Sequence, residues 1–301
     1  MENFCLNIAG YRLRFEGAPG GPLLFPAQRF SKSILTDDGY DYLIRVNEGE
    51  CVMPAGSERV FNAPLVEERD GEALIKSHEF WSIHKEGDMI YIKTIFPHNP
   101  GMNSGILSLS RNSKEWNLEI SSSVTGADPL AWPLDGLLLY YLTVFNGDIM
   151  IHASGVDYNG KGFIFSGVSG KGKTTMARLW EEAGAEVIHD DRLIIRRRAG
   201  DIFFYNTPVY DDDEPRSAKP AGIFLLEHGR QNMIVPLEGS RAVSNVMANC
   251  IQHNWSSEII SGLMDSLSEV CGKIPVARLY FRPAGEIVEF ILGNAKIRQT
   301  H

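Results

Sequence analysis

Residues 163–180 read "FIFSGVSGKGKTTMARLW", and the fold turns on how this stretch is interpreted. Phe163, Ile164 and Phe165 form a short apolar run of the kind that becomes a buried strand. A glycine-dense turn follows, and from Lys173 onward "KTTMARLWEEAG" has the amphipathic texture of a helix. Gly167 to Thr174 fits G-x-x-x-x-G-K-[ST] without departure. Each residue type in that pattern has a physical reason. Glycines let the backbone curl so that successive N–H groups converge on phosphate oxygens. The helix start adds unpaired N–H groups and the positive end of its dipole. A lysine reaches the β- and γ-phosphates, and a threonine hydroxyl suits Mg²⁺, which prefers hard oxygen ligands. The expectation is a site for ATP and Mg²⁺ built from Gly167, Ser169, Gly170, Lys171, Gly172, Lys173, Thr174 and Thr175. The glycine spacing does not fit the G-x-G-x-x-G dinucleotide fingerprint.

On the upstream side, "IMIHASGV" and "GFIFSG" flank "DYNGKG", in which Asn159-Gly160 is a strong hairpin signal. His152 interrupts the first of these strands. Alone it reads as a core histidine; beside a phosphate loop it becomes a candidate catalytic group. On the downstream side, "AEVIHDD" brings Asp190 and Asp191 after Thr174, followed by the strands "RLIIRRR" and "DIFFYNTPV". A parallel strand next to the phosphate-loop strand would deliver such carboxylates beside the phosphates. A solvated turn is the alternative.

Further out, residues 1–128 read as a β-rich N-terminal domain, with strands at "YRLRF", "YDYLIRV", "GDMIYIKTIF", "GILSLS" and "WNLEISSS". His78 and His84 lie six apart, neither a helical i, i+4 pair nor a strand pair with a third ligand nearby, and read as surface or core histidines. "ADPLAWPLDG" marks a boundary, and Asp135 can cap a helix over "GLLLYYLTVFNG". Residues 129–301 then form an α/β domain. Its last third holds a strand at "AGIFLLEHG", helices near 240–252 and 256–271, and a final hairpin over "ARLYFRPAGEIVEFIL". The acidic run "DDDEP" at 211–215 reads as solvated charge, with a second metal-attracting patch as the alternative.

Composition sets outer bounds. With 44% apolar and 22% charged residues the chain has an ordinary globular make-up. A formal charge of -9 argues against nonspecific binding to nucleic acid or an anionic membrane. The four cysteines are scattered, so neither a zinc site nor a disulfide framework is expected. The first residues lack a signal-peptide pattern and "GLLLYYLTVF" is about half a membrane span, so the expected location is cytoplasmic.

"IHASGVDYNGKGFIFSGVSGKGKTT" followed by "AEVIHDDRLIIR" resembles the catalytic domain of HPr kinase/phosphorylase and the shorter HPr-kinase-related proteins. The resemblance runs from about 130 to 220, extends loosely to "AGIFLLEHG" and "IPVARLYFRP", and leaves the N-terminal region uncovered. It implies a phosphoenolpyruvate-carboxykinase-like P-loop fold with a mixed sheet. It also implies an ATP/Mg-dependent kinase acting on a hydroxyl, with a serine of a peptide or small protein as acceptor. His152 then assists acid–base chemistry, Lys173 and Thr174 hold phosphate and metal, Asp190 sits at Mg²⁺, and Asp191 is the base. Thr207 and Arg216, in "YNTPVYDDDEPR", become candidates for substrate or phosphate contact, against the alternative of an ordinary solvated loop. The Glu-x-Arg-Gly signature of the bifunctional enzymes is missing, which leaves phosphorolysis, and HPr itself as the acceptor, open while the kinase half-reaction stands. Alternatives are a kinase for a small molecule such as free serine, and a non-catalytic ATP-binding adaptor. The β-rich domain is a candidate docking surface, and the resemblance suggests a homo-oligomer.

Overall fold

Trp116, Leu118 and Ile120 are buried while Glu115, Asn117 and Glu119 between them are exposed, the period-two pattern of a sheet with one covered face. That pattern recurs through the first part of the chain in a computed structural model, which describes residues 2–21, 23–69, 72–99, 101–123, 126–211 and 213–295. The chain divides into two compact units, the first comprising Met1–Leu142 with Pro208–Glu214, the second Thr143–Thr207 with Pro215–His301.

The first unit carries β1 (Asn3–Ile8), β2 (Tyr11–Gly17), β3 (Ile34–Leu35), β4 (Tyr42–Glu48), β5 (Glu58–Arg69), β6 (Glu72–Glu86), β7 (Met89–Ile95), β8 (Met102–Leu109) and β9 (Glu115–Ser122). They form one nine-stranded mixed sheet in the order β3-β1-β2-β4-β9-β8-β7-β6-β5. The β5–β6 hairpin is absent from the sequence reading, for a physical reason. Val60, Val66, Leu74 and Ile75 are exposed and Pro64 breaks the run, so no alternation marks the arm. Helix α1 (Leu134–Phe145) begins before Asp135, which therefore sits inside the first turn and not at the cap. Near-continuous burial from Leu137 to Thr143 explains its long apolar run. His84 shares a hydrogen bond with Ser82 Oγ at 3.2 Å. The 211–215 run is not simply solvated charge. Asp213 is buried and its carboxylate accepts from the N–H groups of Val209 and Tyr210, both at 2.8 Å; Asp212 lies outside the described residues.

The second unit opens with β10 (Ile149–Tyr158) and β11 (Lys161–Ser166), joined by the Asn159-Gly160 turn. Both turn residues have positive φ, 54° and 77°, which this turn requires and asparagine and glycine tolerate. Next come α2 (Lys173–Glu182), β12 (Glu186–His189), β13 (Arg192–Arg198), β14 (Asp201–Asn206), β15 (Ser217–Ala218), β16 (Pro220–His228) and β17 (Met233–Leu237). Helices α3 (Gly239–Met247) and α4 (Ser257–Lys273), strand β18 (Val276–Phe281) and helix α5 (Glu286–Ala295) complete it. The sheet order is β15-β14-β13-β10-β11-β16-β18-β17, with β12 added alongside β10. β11, β16 and β18 run parallel and the other pairs antiparallel, so the sheet is mixed, as expected.

Alternate residues of β11 serve opposite faces. Phe163 and Phe165 pack with Met176, Leu179 and Trp180 of α2 and Ile287 and Ile291 of α5. Ile164 packs on the other side with Val243 and Val246 of α3 and Leu263 and Leu267 of α4. Burial on both faces is why this strand reads as an unbroken apolar run. The expected final hairpin is corrected to a strand followed by a helix. β18 is already paired on both sides, and Ile287, Val288 and Ile291 recur at helical spacing toward the core. Their β-branched side chains suggested a strand; tertiary packing decided otherwise. At the start of α4, Ser256 Oγ accepts from Ile259 N at 3.3 Å. Ser256→Ala is expected to cost about 1 kcal/mol, read as a lowered urea midpoint at unchanged slope. Among the described residues no helix is long and apolar enough to cross a membrane.

Candidate active site

The glycine loop leaves the carboxyl end of β11 and enters α2, so the predicted strand–loop–helix order is present. Gly170 and Gly172 have φ of 80° and 92°, the left-handed region that lets the chain reverse before the helix. Gly172 is doubly constrained, because an added Cβ would lie 2.9 Å from Phe281 Cζ. Gly172→Ala should therefore lower stability by about 2 kcal/mol, the cost of a left-handed alanine plus a displaced ring, and weaken nucleotide binding in the same variant. A urea melt and an ATP titration would check both. No side chain caps the first turn of α2, and no acid stands in it, so nothing in that turn competes with an anion for its N–H groups.

Lys173 is only 8% exposed. Its ammonium donates to Gly167 O at 2.8 Å and Val168 O at 3.4 Å. Burial lowers its pKa, and the Asp191 charge partly offsets that. A cation held this way, in a partly dry loop, gains most from a polyanion that replaces the carbonyls. Thr174 is exposed, Thr175 half-buried, and Ser169 exposed at the loop tip next to Val168. Lys171 takes another role: its ammonium pairs with Glu227 Oε2 at 2.7 Å.

β10 supplies the next pieces. His152 and Ser154 share one strand face. Ser154 Oγ donates to Lys173 O at 3.1 Å, and Ser166 Oγ donates to His152 O at 2.8 Å, which ties β10 to both ends of the loop. His152 Nδ1 lies 3.5 Å from Asp191 Oδ1, and the two side chains remain 44% and 43% exposed. The carboxylate is therefore accessible to a second molecule while still facing an imidazole. Asp190, also half-buried, precedes it in the same turn.

The route by which Asp191 arrives differs from the sequence expectation. β12 is not the parallel neighbour of β11; it pairs antiparallel with β10, which separates the two. The parallel neighbour is β16, in register as Ser166↔Leu225. Its end contributes Glu227, paired with Lys171, and His228, whose Nε2–H donates to Gly170 O at 3.1 Å. The sequence reading missed both. An apolar run closed by an acid, "IFLLE", was the available signal. Thr207 and Arg216 have internal partners. Thr207 is fully buried, accepting from Arg192 Nε at 3.1 Å and donating to Arg192 O at 3.2 Å. Arg216 Nε lies 3.4 Å from Glu186 Oε1.

Among the described residues no group of three or more His, Cys, Asp or Glu side chains is placed to hold a metal. Mg²⁺ asks for less than such a cage, since it typically takes one or two protein oxygens together with phosphate oxygens and water. The exposed Thr174 hydroxyl and the half-buried Asp190 carboxylate are oxygens of that kind, and the donor chemistry fits.

No protein-family model matches the chain, and no curated protein matches it. Among solved structures, the chain is similar to the Hpr(Ser) kinase/phosphatase from Coxiella burnetii, at 13% identity and a TM-score of 0.31, over 50% of this chain and 99% of that one. A likeness of that size does not carry a shared function.

Proposed function

We propose that this protein is an ATP- and Mg²⁺-dependent kinase that transfers the γ-phosphate to a hydroxyl, with a serine of a peptide or small protein as the acceptor. One arrangement carries the reading: a buried lysine in a glycine loop, tied through the Ser154 hydroxyl to the strand whose His152 lies 3.5 Å from a half-exposed aspartate. A binder of nucleotide has use for the lysine alone. The aspartate–histidine pair adds the means to move a proton.

Bound MgATP would supply the phosphoryl group and, through the metal, part of the charge neutralisation, with Thr174 and Asp190 as protein oxygens for the ion. The chain's own residues do the rest. Loop N–H groups and the start of α2 orient the phosphates. Lys173 turns its ammonium from Gly167 O toward phosphate oxygen and stabilises the charge that builds there. Asp191 accepts the proton of the attacking hydroxyl. His152, facing that carboxylate, orients it and shares the proton once transferred.

The test is MgATP consumption by the purified chain, alone and with serine-bearing peptides, small proteins and free serine, with product read by mass. A phosphoserine on a peptide or protein acceptor supports the proposal. Product on free serine alone moves the acceptor to a small molecule. ATP binding without product on any acceptor favours a nucleotide-binding adaptor and overturns the kinase reading.

A further inference from the structure

We propose that His189 is a positioning residue of this site, its ring nitrogen Nδ1 acting as the acceptor that shapes the turn carrying Asp190 and Asp191. The inference rests on Asp191 being the base, although its geometry stands independently. His189 is the last residue of β12 and is 3% exposed. Its Nδ1 lies 3.1 Å from the N–H of Asp191 and 3.2 Å from the N–H of Arg192. A backbone N–H can only donate, so Nδ1 carries no proton and the ring proton sits on Nε2. The tautomer is thus fixed by the backbone.

This arrangement reproduces with imidazole what Asn, Asp or Ser ordinarily does at a turn: a side-chain acceptor at one residue gathers the N–H groups two and three residues on. The Asp191 peptide is then held from both sides, because its carbonyl accepts from Ala153 N at 3.1 Å. Ala153 follows His152 on β10, so one short network sets both members of the His152–Asp191 pair. Beyond the turn, the Arg192 carbonyl and guanidinium both engage buried Thr207. With those contacts made, the direction of the Asp191 carboxylate follows from where its backbone is pinned. A side chain with no acceptor at position 189 leaves two N–H groups in a largely closed turn to find other partners, and the turn loosens.

The hypothesis predicts a result that depends on the acceptor atom and not on the ring. His189→Asn places an oxygen near the position of Nδ1; His189→Ala removes the acceptor. In the wild-type protein, ¹⁵N spectra of the assigned His189 ring should show an unprotonated Nδ1 and a protonated Nε2. Amide exchange of Asp191 and Arg192 should accelerate about tenfold or more in His189→Ala, the loss of one hydrogen bond each, and return to within about threefold of wild type in His189→Asn. Affinity for metal-free ADP, held by the loop, reports that each variant is folded. Where phosphoryl transfer is observed, kcat should follow the exchange data, reduced about tenfold in the alanine variant and rescued in the asparagine variant. A protonated Nδ1, unchanged exchange in His189→Ala, or an asparagine variant as impaired as alanine would each overturn the proposal. If no acceptor is phosphorylated, the kinase reading fails, yet tautomer and exchange still decide the role of His189 in the turn.

Discussion

Lys173→Met should weaken MgATP binding by about a hundredfold, roughly 2.7 kcal/mol, while the protein remains folded. Methionine keeps most of the apolar stem of this buried side chain and removes the ammonium, so the change isolates the charge. That charge is costly where it sits: Lys173 is buried and its pKa is lowered by desolvation. In the structure it is compensated by two carbonyls, Gly167 O and Val168 O. Phosphate oxygens are better partners, because they add the attraction of opposite full charges to a bond that the carbonyls can make only as dipoles. Losing it, together with the long-range attraction in a partly dry loop, accounts for the expected size. Lys171→Ala should cost less, since Glu227 at 2.7 Å already takes that charge. Calorimetric titration with MgATP, alongside a urea melt to show an intact fold, would check this. Retention of wild-type affinity in Lys173→Met would remove the phosphate site itself.

What could be read from the sequence was local. The loop is legible because phosphate binding needs particular residue types at fixed short spacing. The Asn159-Gly160 turn is legible because positive φ at both positions narrows the choice of residues. Strand adjacency is different, since it is set by crossovers that no short window contains. Glu227 reaches the loop from 56 residues beyond Lys171, and β12 lands beside β10 where the sequence suggested β11. His152 and Asp191 were each named from the sequence without any sign that they meet; the structure sets them 3.5 Å apart, one on β10 and the other in the turn after β12, which pairs with β10. Thr207 shows the opposite failure: a threonine in a Pro-containing loop looks available, and only tertiary structure reveals that Arg192 occupies its hydroxyl. α5 was misread because Ile287, Val288 and Ile291 favour strands by propensity, while the core offered a helical groove.

Asp191→Asn should lower phosphoryl transfer about a thousandfold while leaving MgATP affinity within about threefold, on the usual scale for removing a general base. The substitution nearly preserves shape, and the contacts that place the residue are made by its backbone: Asp191 N–H donates to His189 Nδ1, and Asp191 O accepts from Ala153 N. Neither involves the carboxylate. The turn therefore persists, and the amide still faces His152 without being able to accept a proton for transfer. Binding is expected to move little because two effects oppose each other. Loss of the Asp191 charge removes a group that favours protonated Lys173, yet it also removes a negative charge near the incoming phosphates. His152→Ala should fall between wild type and Asp191→Asn, because the carboxylate remains and only its partner is lost. Single-turnover measurements with the phosphorylated acceptor separated by mass would rank the three proteins. An Asp191→Asn variant that transfers at the wild-type rate would show that the proton leaves by another group, with half-buried Asp190 in the same turn the next to be changed.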